Sequence, residues 1–237
     1  MIAAASTVGP SAYWYLTRAS GTVALVLLTA SLLFGMINVT RVSARRWPRF
    51  VIDGIHRRVS MLAVAFLVIH ILTSVLDSFA PIGLLDAVIP FHGSYRPFWL
   101  GLGALAFDLL LAVLITSLAR GRFGYGTWRA IHWLAYACWP VAVLHGLGTG
   151  SDANRWWLML ILVGCVTAVL VAAILHLTVL GSRFTSGIRA AGLVGVVGFA
   201  LGLVVWVPQG PLGHDWARRS GTPRSLLAKP VVPRRNG

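Results

Sequence analysis

Long apolar stretches alternate with short arginine-rich loops along most of the chain. Six of them, at residues 20–39, 54–76, 98–119, 128–148, 156–180 and 188–207, are long enough to cross a hydrocarbon core about 30 Å thick. The pattern predicts an all-α membrane protein, a six-transmembrane-helix bundle over residues 20–207. Residues 1–19 form an outer N-terminal segment, and 208–237 a basic tail whose prolines and charges read as disordered. Tyr13, Trp14 and Tyr15 precede the first stretch, and Trp99, Trp156, Trp157 and Trp206 fall at the same predicted depth, as an interfacial belt does. No basic region precedes the first stretch, so no cleavable signal peptide is expected.

Composition narrows the class. With 57% hydrophobic and 11% charged residues and a mean hydropathy of +0.80, the chain does not suit an ordinary water-soluble domain. All six acids are aspartate and 19 of the 20 basic residues are arginine, a skew that codon usage explains and chemistry does not. The net charge of +14 raises the question of nucleic acid. Its arginines, however, sit in short loops and the tail, which matches membrane topology and argues for no nucleic-acid partner. Cys138 and Cys165 lie within apolar stretches without a CxxC or CxxCH motif. That pattern excludes a disulfide scaffold, an iron–sulfur site and covalently attached haem.

Loop charge sets the orientation. Arg41, Arg45, Arg46, Arg49, Arg57, Arg58, Arg120, Arg122, Arg129, Arg183 and Arg189 share one side, whereas Arg18, Arg96 and Arg155 share the other with Asp77, Asp86 and Asp152. The positive-inside rule then puts the N-terminus outside in a multi-pass protein of the plasma membrane. The tail resists this scheme: Arg218, Arg219, Arg224, Lys229, Arg234 and Arg235 end outside after six crossings. Either the tail is translocated, the favoured reading, or the glycine-rich last stretch (Gly192, Gly195, Gly198, Gly202) does not cross fully. Gly198 and Gly202 give that stretch a face for close helix packing.

Two of these stretches carry matched histidines. His56 and His70 are 14 residues apart, and His132 and His145 are 13 apart. Fourteen helical residues rise about 21 Å and return to within about 40° of the same face, placing one imidazole near each side of the bilayer. Two parallel helices so equipped complete two stacked bis-histidine iron sites, which predicts two non-covalent b haems. Parallel direction requires His56 to pair with His132 near the cytoplasm, and His70 with His145 near the exterior. The interval of 13 leaves His145 about 140° from His132 on an ideal helix. Either Pro140 alters the winding, or the two haems are not coaxial.

Other polar residues are candidates of a second rank. Arg57, Arg58 and Arg129 flank the inner ligands, and Arg18 and Arg96 the outer ones, where guanidinium groups can clamp haem propionates. Topology alone also places arginines there. Asp108, in mid-span, is a proton-relay or polar-network candidate. Cys138 and Trp139 lie between the ligand depths and either pack the core or fill the space between porphyrins. His176 is the substitute should an assigned ligand fail, while His92 and His214 read as loop and tail residues.

The constellation of His56-x13-His70, His132-x12-His145 and a preceding arginine-rich loop resembles the ferric reductase-like transmembrane domain. That family is shared by NADPH oxidases, ferric reductases and bacterial YedZ/MsrQ-type haem subunits. The resemblance covers about 13–180 and implies transmembrane electron transfer through two b haems. It further implies that electrons enter at the inner haem from a cytoplasmic flavoprotein or membrane quinol and leave to an extracytoplasmic acceptor, whether a redox protein, a ferric chelate or oxygen. Residues 181–237 carry no dinucleotide fingerprint and are too few for a flavin or NADPH domain, so a flavin is expected only on a separate partner chain. Two other classes compete: a quinol-oxidising cytochrome b anchor of a larger dehydrogenase complex, which adds a quinone site, and a haem-free transporter or assembly factor.

Overall fold

The computed structural model describes residues 11–39, 48–150, 155–178 and 185–227. Arg41, Arg45, Arg46, Asp152, Arg183, Lys229, Arg234 and Arg235 lie outside them. Among the described residues the chain is helical without strands: α1 (Ala12–Val39), α2 (Arg49–Leu76), α3 (Leu84–Val88), α4 (Pro97–Leu118), α5 (Tyr125–His132), α6 (Leu134–Thr149), α7 (Trp156–Thr178), α8 (Ser186–Gln209), α9 (Trp216–Arg219) and α10 (Arg224–Leu227). Six helical segments are long and apolar enough to cross a membrane, α5 and α6 together making one of them. The chain is a multi-pass membrane protein embedded in a lipid bilayer.

Helix ends follow local chemistry. Pro97 occupies the first position of α4, where its missing N–H costs nothing, and Thr185 caps α8 by accepting from the Ile188 N–H. The first helix starts at Ala12, eight residues before the apolar stretch itself. Arg18 explains the extension: its guanidinium lies 3.6 Å from the Trp14 ring centre, an interfacial pairing that keeps the charge out of hydrocarbon. Within the spans, hydroxyls satisfy themselves on the preceding turn, as Ser20, Thr22, Thr29, Ser60, Ser74, Thr116 and Thr149 do.

Packing divides the bundle into two closely joined pairs, α1 with α2 and α4 with α6. The histidine-bearing α2 and α6 do not form such a pair with each other. The dry core lies elsewhere, where Met36, Trp139, Val143, Leu147, Cys165 and Val169 meet between α1, α6 and α7, with Phe199 and Leu203 of α8 against them. A polar tie crosses between the pairs: the Trp139 indole N–H donates to Thr29 Oγ1 at 2.9 Å, and Trp139 is 2% exposed. Trp139 thus packs the core and braces the helix pairs. Cys138 turns to the opposite side, with its thiol against the Ala106 carbonyl.

The stretch beyond α8, expected to lack order, folds back on the end of the bundle that carries His70 and His145. Trp206 and Trp216 gather around Trp99, with ring centres 4.8 and 5.3 Å from it. Trp99 and Trp206 therefore belong to an aromatic cluster, whereas Trp156 and Trp157 remain exposed like a lipid-facing belt. In the bundle α8 packs beside α7, and residues 210–227 lie at the end that carries His70 and His145. Sequence read the tail as disordered because its prolines and charges show no period, and only the aromatic partners on α4 and α8 give it a place to dock.

Replacing Trp139 by Phe is expected to lower the unfolding free energy by about 2 kcal/mol, because the tie to Thr29 is lost and the smaller ring leaves a void in the buried core. Thr29→Val, which removes the tie alone, should cost about 1 kcal/mol, and the double variant less than the sum. Thermal unfolding in detergent checks this cycle; strict additivity would mean that the two residues do not interact.

Candidate functional site

The four candidate histidines meet in two pairs across the space between the helix pairs. His56 of α2 faces His132 of α5 with ring centres 6.2 Å apart and planes at 73°. His70 faces His145 of α6 at 6.3 Å and 82°. These are the pairings that parallel α2 and α6 require. On the His70 side the space between the pairs is a cavity of about 360 Å³, whose lining includes Gly21, His70, Gly103, Phe107, Cys138 and His145.

Three of the four imidazoles are oriented in one way. His56 Nδ1 hydrogen-bonds the Ser31 carbonyl at 2.9 Å, His70 Nδ1 the Thr17 carbonyl at 2.8 Å, and His145 Nδ1 the Trp99 carbonyl at 2.9 Å. Such a bond assigns the proton to Nδ1 and leaves the Nε2 lone pair for a metal. A helical carbonyl is normally shielded by the side chain one turn later. Here that position is glycine each time: Gly35 after Ser31, Gly21 after Thr17, Gly103 after Trp99. A Cβ at Gly21 would lie 2.8 Å from the His70 ring and one at Gly103 2.5 Å from His145, whereas one at Gly35 would meet His56 at an ordinary 3.5 Å. Sequence reasoning missed these glycines, although Gly21 and Gly35 repeat the 14-residue interval of the histidines they seat.

His132 is held differently. Its Nδ1 is buried without a hydrogen-bond partner among the described residues. The ring instead stacks on Trp128, centres 5.0 Å apart, and Arg120 lies over the same indole at 5.2 Å. The helix breaks immediately after it. The Trp133 N–H is shared between the Arg129 and Ala130 carbonyls, and the Tyr136 N–H reaches Trp133 O at 3.0 Å, three residues back. Such bonds wind the chain at about 120° per residue instead of about 100°, which recovers azimuth that an interval of 13 loses. Thus the adjustment sits at Trp133, while Pro140 lies inside an unbroken α6.

The second-rank residues separate. Arg18 lines the cavity. Arg96, by contrast, is 3% exposed and spends its donors on Gly148 O at 2.9 Å and Thr222 Oγ1 at 3.0 Å. Arg57, Arg58 and Arg129 are exposed at the His56 end, and Asp108 is half-buried in α4 away from the cavity lining. His176 belongs to α7 and joins neither pair, and His214 is exposed. His92 donates to Asp86, at 2.7 Å, and Asp86 also accepts from the Gly83 N–H. Partial burial works to raise the Asp86 carboxyl, but these two bonds outweigh it and hold it below the usual carboxylate range.

A haem iron fits the paired imidazoles. With metal–nitrogen bonds of about 2.0–2.1 Å and about 1.1 Å from Nε2 to ring centre, two rings on one metal are centred about 6.3 Å apart. Among the described residues no three His, Cys, Asp or Glu side chains cluster as a metal site. Two imidazoles per site suit an iron whose remaining ligands come from a macrocycle. A family model described as the ferric reductase like transmembrane component matches residues 20–143. The match takes in His56, His70 and His132, and ends two residues before His145. No curated protein and no solved structure matches the chain. More than half of the chain is covered by that one match, and the protein belongs to the ferric reductase-like transmembrane component family.

Proposed function

We propose that this chain is a di-haem b electron-transfer protein that carries electrons across the plasma membrane. What supports the reading best is the spacing of the two imidazole pairs, 6.2 and 6.3 Å between ring centres, in a gap that the protein's own helices leave open. Haem iron supplies one-electron chemistry at a potential set by its ligands and surroundings. His56 and His132 would hold the cytoplasmic haem, and His70 and His145 the outer one. The carbonyls of Ser31, Thr17 and Trp99 orient three of the rings and raise their basicity as ligands. Apolar walls exclude water, and Arg18 lies where an outer propionate would need a cation. Arg57, Arg58 and Arg129 are the corresponding groups at the inner end. The proposed donor is a separate cytoplasmic flavoprotein or membrane quinol, and the acceptor is extracytoplasmic.

Purified protein should contain two b haems per chain by pyridine haemochrome assay, extractable with acid–acetone. In low-temperature EPR, His56→Ala and His132→Ala should remove one low-spin signal, and His70→Ala and His145→Ala the other. Absence of haem would end the reading; removal of one signal by His56→Ala and His145→Ala together would overturn the pairing.

The glycine seats make a finer test. Gly21→Ala and Gly103→Ala drive a methyl into the outer imidazoles and should displace or empty the outer site, whereas Gly35→Ala makes only ordinary contact and should leave the inner one intact. Haem content and EPR read the difference. Equal behaviour of all three would detach the glycines from ligand seating.

Orientation can be probed at Gly121, where an added side chain meets nothing within 4 Å. In a Cys138→Ala, Cys165→Ala background, Gly121→Cys should escape a membrane-impermeant thiol reagent applied to intact cells, and Ser94→Cys should react. The opposite result would reverse the proposed direction.

A further inference from the structure

The end of the bundle beyond His145 is braced by a part of the chain that contributes no ligand. Trp99 stands at its centre. Its carbonyl accepts from His145 Nδ1 at 2.9 Å, and its indole packs so closely over Gly148 that a Cβ there would lie 2.2 Å away. Trp206 stacks on one side of that indole, with planes at 25°, and Trp216 of α9 leans on it at 57°.

Gly148 is three residues beyond His145, and its carbonyl collects two donors. One is the Trp216 indole N–H at 3.2 Å, the other the Arg96 guanidinium at 2.9 Å. Arg96 is pinned in turn by the tail: its own N–H donates to Gly221 O at 3.1 Å, and its Nε to Thr222 Oγ1. Its backbone takes the left-handed conformation, φ 41°, which a non-glycine residue adopts only when its surroundings hold it there. Among the described residues no carboxylate pairs with this buried guanidinium. Burying such a charge is costly, so it marks a place where orientation matters beyond filling volume.

We propose that residues 210–227 act as a strap that fixes the outer ligand, with Trp216 and Arg96 as positioning residues that hold His145 through Trp99 and Gly148. The strap ties the start of α4, which carries the acceptor carbonyl, to the end of α6, which carries the imidazole. No comparable brace exists among the described residues at His132, so the two iron sites would respond differently to damage at this end. The inference rests on His145 being a haem ligand.

The test is low-temperature EPR and haem retention of the full-length, haem-loaded protein, with His70→Ala identifying the outer signal. Trp216→Ala should shift the outer signal and weaken outer haem retention about tenfold, as loss of a ligand-orienting partner commonly does, with the inner signal unchanged. Trp216→Phe keeps a ring against Trp99 but loses the indole N–H to the Gly148 carbonyl, and should shift the same signal by less than Trp216→Ala does. Thr222→Val, which removes one Arg96 acceptor, should move the same signal by less and serves if Trp216→Ala does not accumulate. An unaltered outer signal, or both signals moving together, would overturn the strap while the haem reading stood. No low-spin haem in the wild-type protein would overturn both.

Discussion

An imidazole in hydrocarbon has one N–H to place, and the placement of that proton organises this bundle. Three of the four paired histidines donate to a main-chain carbonyl of the adjoining helix. The acceptor is open because the residue one turn later is glycine. The requirement couples helices in twos: α2 must lie against α1 for His56 and His70, and α4 against α6 for His145. The close pairing of α1 with α2 and α4 with α6 is the packing consequence. Each pair of rings then meets across the space the helix pairs leave between them.

The two ends of that space are unlike. At the His70 end both imidazoles are bonded to carbonyls and pressed against glycines, and the C-terminal segment closes over Trp99. At the opposite end His56 has an anchor and an uncrowded glycine, while His132 relies on the face of Trp128 at the point where the helix breaks. A hydrogen bond fixes both direction and tautomer, whereas a stack fixes the plane alone. Loss of Trp99's supports would therefore be felt at one end, and changes around Trp128 at the other.

Spans and histidine intervals are local properties, and both are legible from the chain. Twenty apolar residues must be helical in a bilayer because no water is there to satisfy the backbone, and an interval of 14 on a helix needs no partner to define its face. The first helix begins early, at Ala12, because Arg18 and Trp14 shelter each other at the interface, a side-chain contact that no hydropathy window contains. Likewise the overwound turn at Trp133 depends on which carbonyls its N–H can share. Pro140, the conspicuous residue in the sequence, turns out to sit within regular helix.

Arg96 and the tail mark the limit of what a linear reading can reach. Topology puts Arg96 at the same depth as Arg18, yet Arg18 lines the cavity and Arg96 is turned to Gly148 and Thr222. Residues 52 and 126 positions further along the chain made that difference. The glycines at 21, 35 and 103 are visible in the sequence as residues, but their role appears only when a neighbouring helix brings an imidazole against them. Depth and periodicity follow from the chain's own chemistry with the bilayer. Azimuth, and hence which polar atoms meet, follows from helix packing, because rotating a helix about its axis leaves its hydropathy unchanged and alters every contact it makes.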